Sequence, residues 1–347
     1  MVEMKRTIIY SAMAALGALS LASCEKVSPS GVLIGNTSVD DRVQMSLTYY
    51  QEHQNEYVSY FVNEDEGYSF VVGSDSHLQK DDGRLREMFQ SSLDNKDLIV
   101  AHCGDIADTT ADNYSRLSKL YDEFNLKWLQ QWYDYDEAKD TYYYRDPSGE
   151  NKQEEVDPIE LLQHMFPLYS CVGNHDITRN GWALFSNMFH ASFFQVLVGV
   201  GGKDTKVFDR LIFLDSANGT LGNFQVEALE NDALDWEKYG YKTRNVFVFT
   251  HSNIFRPRSE EFSSTYPREE TYYLLDRFAK WQADIVFLGH VHRYDDRVFG
   301  GIRYITLDAM SEENSPNPGE YLVRVHVKPD GSYNYERVNM NYSPKKK

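Results

Sequence analysis

Six short apolar runs, each closed by Gly and polar residues, constrain this chain most. They are "GYSFVVGSDSH" (67–77), "DLIVAHCGD" (97–105), "FPLYSCVGNHD" (166–176), "RLIFLDS" (210–216), "NVFVFTHS" (245–252) and "ADIVFLGHVH" (283–292). Continuous runs of this length, rich in Val, Ile and Phe, fit strands covered on both faces. Helical patterns lie between them. "DDGRLREMFQSSL" sets Leu85, Met88, Phe89 and Leu93 on one stripe, and "FQVEALENDALDWEKY" does so with Val226, Leu229, Ala233 and Trp236. "TYYLLDRFAKWQ" is a third such segment. Strands alternating with helices predict an α/β layered fold. Residues 111–165 break the rhythm. Leu117, Leu120, Tyr121, Phe124 and Trp128 follow a helical spacing and a Tyr cluster follows them. The segment reads as a helical, aromatic-rich insertion over one end of the sheet, placed to shape a substrate pocket. After residue 300 the pattern alternates and turns at "PDG", as a hairpin does.

The N-terminus reads separately. Lys5 and Arg6 precede the apolar stretch "IIYSAMAALGALSLA". A charged start followed by a short apolar run describes a secretory signal. The run is shorter than the ~20 residues a spanning helix needs. Leu21-Ala22-Ser23-Cys24 resembles the bacterial lipobox, which makes Cys24 the expected lipidation site and first mature residue. The expected layout is a signal over 1–23, a tether and N-terminal segment over 24–65, one large domain over 66–335 and a tail over 336–347. That layout places the protein in the bacterial cell envelope, anchored outside the cytoplasm. Cys103 and Cys171 each end an apolar run and read as small buried residues, with a disulfide between them left open. A net charge of −18 repels polyanions, so no long nucleic acid is expected as a partner. The sequence gives no sign of an obligate protein partner.

Several runs finish in side chains suited to metal ions. The first ends in Asp75 and His77, the second in Asp105, the third in Asn174 and His175, the fifth in His251, and the sixth in His290 and His292. In an extended segment His290 and His292 point to the same side, as two imidazoles sharing a ligand must. Open α/β sheets build their sites beyond the carboxyl ends of strands, where segments distant in sequence meet.

Taken in order, these segments resemble the five motifs of calcineurin-like metallophosphoesterases. They stand here as Asp75-Ser76-His77, Gly104-Asp105-Ile106-Ala107-Asp108, Gly173-Asn174-His175-Asp176, His251 and Gly289-His290-Val291-His292. The resemblance implies a layered sandwich of two mixed β-sheets flanked by helices, with a dinuclear metal site at the strand ends. It assigns Asp75, His77 and His292 to one metal and Asn174, His251 and His290 to the other, with Asp105 between them. It makes His175 the acid that protonates the leaving group, with Asp176 orienting it, and a metal-bridging hydroxide the nucleophile. A nitrogen and oxygen donor set without thiolate suits Mn, Fe, Zn, Ni or Co. Asp108 reads equally as a helix cap at "DTTADN" and as a support of the second motif.

Two departures from the family pattern stand out. Asp108 occupies the place of the metal-binding tyrosine of purple acid phosphatases, and "THSNIF" lacks the proline common after the fourth motif. Arg179 is a candidate grip for a substrate phosphate. The implied activity is metal-dependent hydrolysis of a small mono- or diester. A phosphodiesterase of lipid headgroups and a non-catalytic surface lipoprotein are the alternatives. The remaining histidines, His102 among them, read as structural or surface residues.

Overall fold

The computed structural model describes residues 37–52, 59–145, 154–231, 233–234, 237, 240–255, 266–311 and 321–340. Cys24 and Trp236 lie outside them. Helix α1 (Val39–Glu52) and strand β1 (Ser59–Val62) come first. There follow β2 (Tyr68–Gly73), α2 (Gly83–Asn95), β3 (Ile99–His102), α3 (Ala111–Leu129), β4 (Tyr133–Asp136), β5 (Thr141–Tyr144), α4 (Pro158–Gln163) and β6 (Leu168–Ser170). The second half carries α5 (Asn174–Ile177), α6 (Trp182–Phe189), β7 (Phe194–Val200), β8 (Val207–Phe213), α7 (Gly222–Glu230), β9 (Lys242–Thr250) and α8 (Arg268–Lys280). It ends with β10 (Ile285–Leu288), β11 (Asp295–Phe299), β12 (Ile302–Thr306), β13 (Leu322–Val327) and β14 (Tyr333–Val338).

Two mixed sheets result. One has the order β14-β13-β2-β3-β6, the other β1-β7-β8-β9-β10-β12-β11. All six apolar runs supply strands, and those strands are parallel to their neighbours from the same set: β2 to β3, β3 to β6, β8 to β9 and β9 to β10. Alternation along each strand then assigns the faces. Phe70, Val72, Ile99 and Ala101 point between the sheets, where Phe247, Phe249 and Phe287 meet them. Rings stack across neighbouring strands, Phe213 on Phe249 at 4.6 Å and Phe249 on Phe287 at 5.2 Å. Such aromatic pairs add about 1 kcal/mol each beyond area burial. Val71 and Val100 face outward, under Met88 and Phe89 of α2 and Leu117 and Phe124 of α3. Leu229 of α7 and Leu274 and Phe278 of α8 cover the outer face of the larger sheet. The expected layered sandwich is therefore the observed one.

The N-terminal segment holds more structure than a tether. Helix α1 packs on α7, and Arg42 is fully buried. Its guanidinium forks onto Asp215 at 2.8 Å through Nε and Nη2. It also donates to the Thr37 carbonyl and to Asn218. Strand β1 then joins the edge of the larger sheet beside β7.

The 111–165 insertion is only half helical. Helix α3 takes its first part, but Tyr133–Asp136 and Thr141–Tyr144 pair as an antiparallel hairpin. A run of Tyr and Thr favours pleated over helical backbone. Location corrects the reading further. Tyr114, in the first turn of α3, bonds Asp176 next to the strand ends, at 3.1 Å. The helix then carries the chain roughly 21 Å away over the 14 residues from Tyr114 to Trp128. There Trp128 packs on Phe166, just before β6 begins, at 5.9 Å. Arg145 ties the hairpin to the Gln130 and Gln131 carbonyls at the same end. The aromatic hairpin thus sits at the opposite end of the sheet from the strand-end cluster and cannot line a pocket there.

Candidate metal centre

The strand-end side chains converge. Three groups of candidate ligands form among the described residues: Asp75 with His77 and His292, Asp105 with His251 and His290, and, sharing His77 at the rim, Asp108 with His175. In the first, His292 Nε2 lies 3.1 Å from Asp75 Oδ1 and 3.3 Å from His77 Nε2. In the second, His251 Nε2 lies 2.9 Å from Asn174 Oδ1, 3.1 Å from His290 Nδ1 and 3.3 Å from Asp105 Oδ2. Asp105 Oδ2 is also 3.8 Å from His77 Nε2, so one carboxylate oxygen faces both groups. His290 and His292 fall in different groups, contrary to the extended reading. The strand stops at Leu288, and both histidines take left-handed backbone, with φ of 70° and 56°. That twist sends His290 to one group and His292 to the other.

Asp75, His77 and Asp105 are left-handed as well, with φ of 52°, 42° and 54°. A non-glycine residue there costs on the order of 1 kcal/mol. Backbone bonds between the loops hold the arrangement. Asp75 N donates to the Gly104 carbonyl, His77 N to Asp105 and Leu78 N to Ile106. Gly173 permits the closest approach, because a Cβ there would overlap the backbone nitrogen and carboxylate of Asp105.

The donor set fits metal ions. His251 Nδ1 faces the Cys103 carbonyl at 2.9 Å, and a carbonyl only accepts, so this nitrogen carries the proton. Its Nε2 lone pair must then point at Asn174 Oδ1, the Asp105 carboxylate and His290. His77 repeats the pattern. Its Nδ1 donates to Asp108 Oδ1 at 3.0 Å and its Nε2 turns to His292 and two carboxylates. Lone pairs converging at such distances repel unless a proton or a metal ion lies among them. Protonation shows the same need. Burial opposes charge on His77 and His251, yet the surrounding carboxylates hold both at about 9. The Asp75 carboxyl is driven far below its usual range: burial opposes this, but His292, His251 and His77 outweigh it.

The structure corrects the role of Asp176. On α5 its side chain turns away from the neighbouring His175, since adjacent helical residues do not face each other. Asp176 is fully buried and accepts from the backbone nitrogens of Asp105 and Gly173 at 2.8 Å, from that of Ala107 at 3.3 Å, and from Tyr114. It is the knot between the second and third motifs. Burial and the Asp105 charge raise its carboxyl to about 7. The partner of His175 is Asp108, whose Oδ1 lies 3.2 Å from His175 Nδ1. That hydrogen bond lifts the His175 pKa above the ordinary imidazole value. Asp108 is not a helix cap. Thr110 caps α3 by accepting from Asn113 N. Arg179 stands four residues beyond His175, exposed and left-handed at φ 50°, with no hydrogen bond or ion pair among the described residues. Cys103 and Cys171 are free and buried.

His102 ends β3 beside this centre. It is fully buried, and neither ring nitrogen has a hydrogen-bond partner among the described residues. Burial pushes its pKa down to about 3. His102→Leu should therefore stabilise the fold by about 2 kcal/mol at pH 7, read from the urea midpoint. The sign with pH follows from linkage. The unfolded chain takes up a proton below about 6.5 that the folded chain refuses. Wild type accordingly loses up to ~1.4 kcal/mol per pH unit between about 6.5 and 3. His102→Leu should lack that component of the slope.

Residues 68–294 match the family model of calcineurin-like phosphoesterases. The chain belongs to that family. As a calcineurin-like phosphoesterase it is a hydrolase of phosphoesters, in a family that typically depends on two metal ions. No curated protein sequence matches it. Solved structures similar to this phosphoesterase include the inner-membrane-complex anchor GAP50 of Plasmodium, at 12% identity and a TM-score of 0.44, covering 80% of this chain and 90% of that one. A purple acid phosphatase from yellow lupin seeds is 14% identical at a TM-score of 0.45, with 80% and 55% covered. A dimetal phosphatase from Danio rerio is 10% identical at a TM-score of 0.39, with 78% and 99% covered. Likenesses at this distance say nothing of substrate.

Proposed function

We propose that this phosphoesterase hydrolyses a small mono- or diester at a dinuclear centre. In this reading Asp75, His77 and His292 hold one ion, Asn174, His251 and His290 the other, and Asp105 both. The observation that carries it is the position of Asp105 Oδ2, 3.3 Å from His251 Nε2 and 3.8 Å from His77 Nε2. When bound, the ions supply Lewis acidity and an acidified water near neutral pH. The chain's own residues do the rest. The His175 amide donates to Asp105 Oδ1 at 2.7 Å and fixes the carboxylate. The His175 side chain is half exposed, at 48%, so it can reach a substrate from the rim. With Nδ1 on Asp108, its Nε2 is free to give a proton to the leaving oxygen. In this reading the exposed Arg179 meets a further anionic group on the substrate.

The test is hydrolysis of p-nitrophenyl phosphate and bis-p-nitrophenyl phosphate with added Mn²⁺. Metal-dependent turnover supports the reading. Two bound metals without turnover of either ester would favour the binding lipoprotein. We also propose a lipid anchor at Cys24, on the lipobox resemblance. Cys24→Ser should move the protein from the membrane fraction to the soluble one, and equal solubility of both forms would refute the anchor. Among the described residues no helix is long and apolar enough to cross a membrane.

A further inference from the structure

The Asp108 carboxylate is shared more widely than a simple acid–histidine pair requires. Its Oδ1 accepts from two imidazoles, His77 Nδ1 at 3.0 Å and His175 Nδ1 at 3.2 Å. Its Oδ2 accepts from Gln79 Nε2 at 2.5 Å. The rings of His77 and His175 meet edge to face at 4.6 Å, with Asp108 between their Nδ1 atoms. A carboxylate rotates freely about its last bond unless something fixes its plane. If it turned, Oδ1 would leave one imidazole or the other.

Gln79 is placed to prevent this. Residues 77–79 run beside 105–108 as a short parallel bridge, Leu78 opposite Ala107. His77 N donates to Asp105, Leu78 N to Ile106, and Asp108 N back to Leu78. Three backbone bonds therefore fix the Gln79 and Asp108 backbones side by side. Asn113 Nδ2 adds a bond to the Asp108 carbonyl at 2.8 Å. The amide of Gln79 has only to span the remaining gap, and because a carboxylate oxygen can only accept, its NH₂ end must face Asp108.

We infer that Gln79 is a positioning residue. It clamps Asp108 so that one oxygen holds the His77 ring of the metal centre and the His175 ring of the acid in a single register. This rests on the reading of His175 as the acid. In that step water adds to phosphorus, the bond from phosphorus to the leaving oxygen breaks, and that oxygen takes the proton from His175 Nε2. Solvent then reprotonates the imidazole. Loss of the clamp leaves the ligands in place and misdirects the acid, so the cost falls on esters whose leaving oxygen needs a proton.

The experiment compares phenyl phosphate with p-nitrophenyl phosphate, using the full chain loaded with Mn²⁺. Phenol is the stronger base as a leaving group, with a pKa near 10 like tyrosine. Gln79→Leu should lower kcat on phenyl phosphate about tenfold, and at least fivefold more than on p-nitrophenyl phosphate. KM and bound metal should stay at wild-type values. Gln79→Glu, which sets a second carboxylate against Asp108, should show the same selectivity. Equal losses on both esters, or no loss on either, would overturn the inference. A second readout needs no turnover. Nitrogen-15 spectra of the deprotonated His175 ring, taken at alkaline pH, should report a fixed Nδ1–H tautomer in wild type and a tautomer mixture in Gln79→Leu. Identical spectra would overturn the clamp. Wild type that hydrolyses neither of these monoesters nor bis-p-nitrophenyl phosphate would instead sink the proposed function, with the spectra still deciding the role of Gln79.

Discussion

Asp105→Asn should lower phosphoester turnover about 10³-fold or more and leave fewer than two metal ions per chain. The atoms around the carboxylate give the reason. Asp105 Oδ1 receives the His175 amide at 2.7 Å, while Oδ2 faces imidazole nitrogens of both ligand groups. An asparagine has one acceptor and one donor end. With its NH₂ at the first position, two donors collide. With its NH₂ at the second, a donor replaces the oxygen that spans both groups, and nothing joins them. A 10³-fold loss is about 4 kcal/mol of transition-state stabilisation, in line with the several kcal/mol that a metal contributes to such charge. Elemental analysis beside a p-nitrophenyl phosphate assay measures both. Full metal content with wild-type turnover in this variant would end the dinuclear reading.

The second large effect is on stability. Asp176→Leu should destabilise the fold by about 4 kcal/mol or more, or prevent folding altogether. Three backbone N–H groups and the Tyr114 hydroxyl converge on the buried carboxylate. Each buried donor left without a partner costs roughly 1–3 kcal/mol. Asp108→Asn offers the contrast. Asp108 stands partly exposed at the rim, so its loss should shift the unfolding midpoint by little and turnover by much. A double substitution, Asp108→Asn with His175→Ala, should be slower than His175→Ala alone by less than the full Asp108→Asn loss, because the two share one hydrogen bond while Asp108 also holds His77. An unchanged urea midpoint for Asp176→Leu would refute its role as the knot.

Much of this is legible in the sequence, for a physical reason. Parallel strands buried on both faces must be written as continuous apolar runs, so the sheets and their ends are visible in the chain. The seven candidate ligands stood at those ends. Reading further failed where direction rather than position matters. Asp176 adjoins His175 in sequence, and only helical geometry shows the two facing apart. His290 and His292 were read as extended, and left-handed backbone separates them. Strand β7 went unread, although "FQVLVGV" is apolar, because it ends in no side chain that advertises chemistry. Gln79 carried no signal, since its role exists only beside Asp108, 29 residues away. The 111–165 segment reads as a helical insertion shaping a pocket because a sequence states the length of α3 but not where it leads.

Five of the seven side chains around the centre stand on backbone that non-glycine residues avoid. Such strain persists only where the surrounding structure over-determines it, and it gathers at functional sites. A descendant freed from catalysis could exchange these positions for glycine, or let the loops relax, and gain sturdiness as it lost the ions. Retired copies of this phosphoesterase should then melt later than working ones stripped of metal. Heat resistance in an inactive homologue would record idleness rather than refinement.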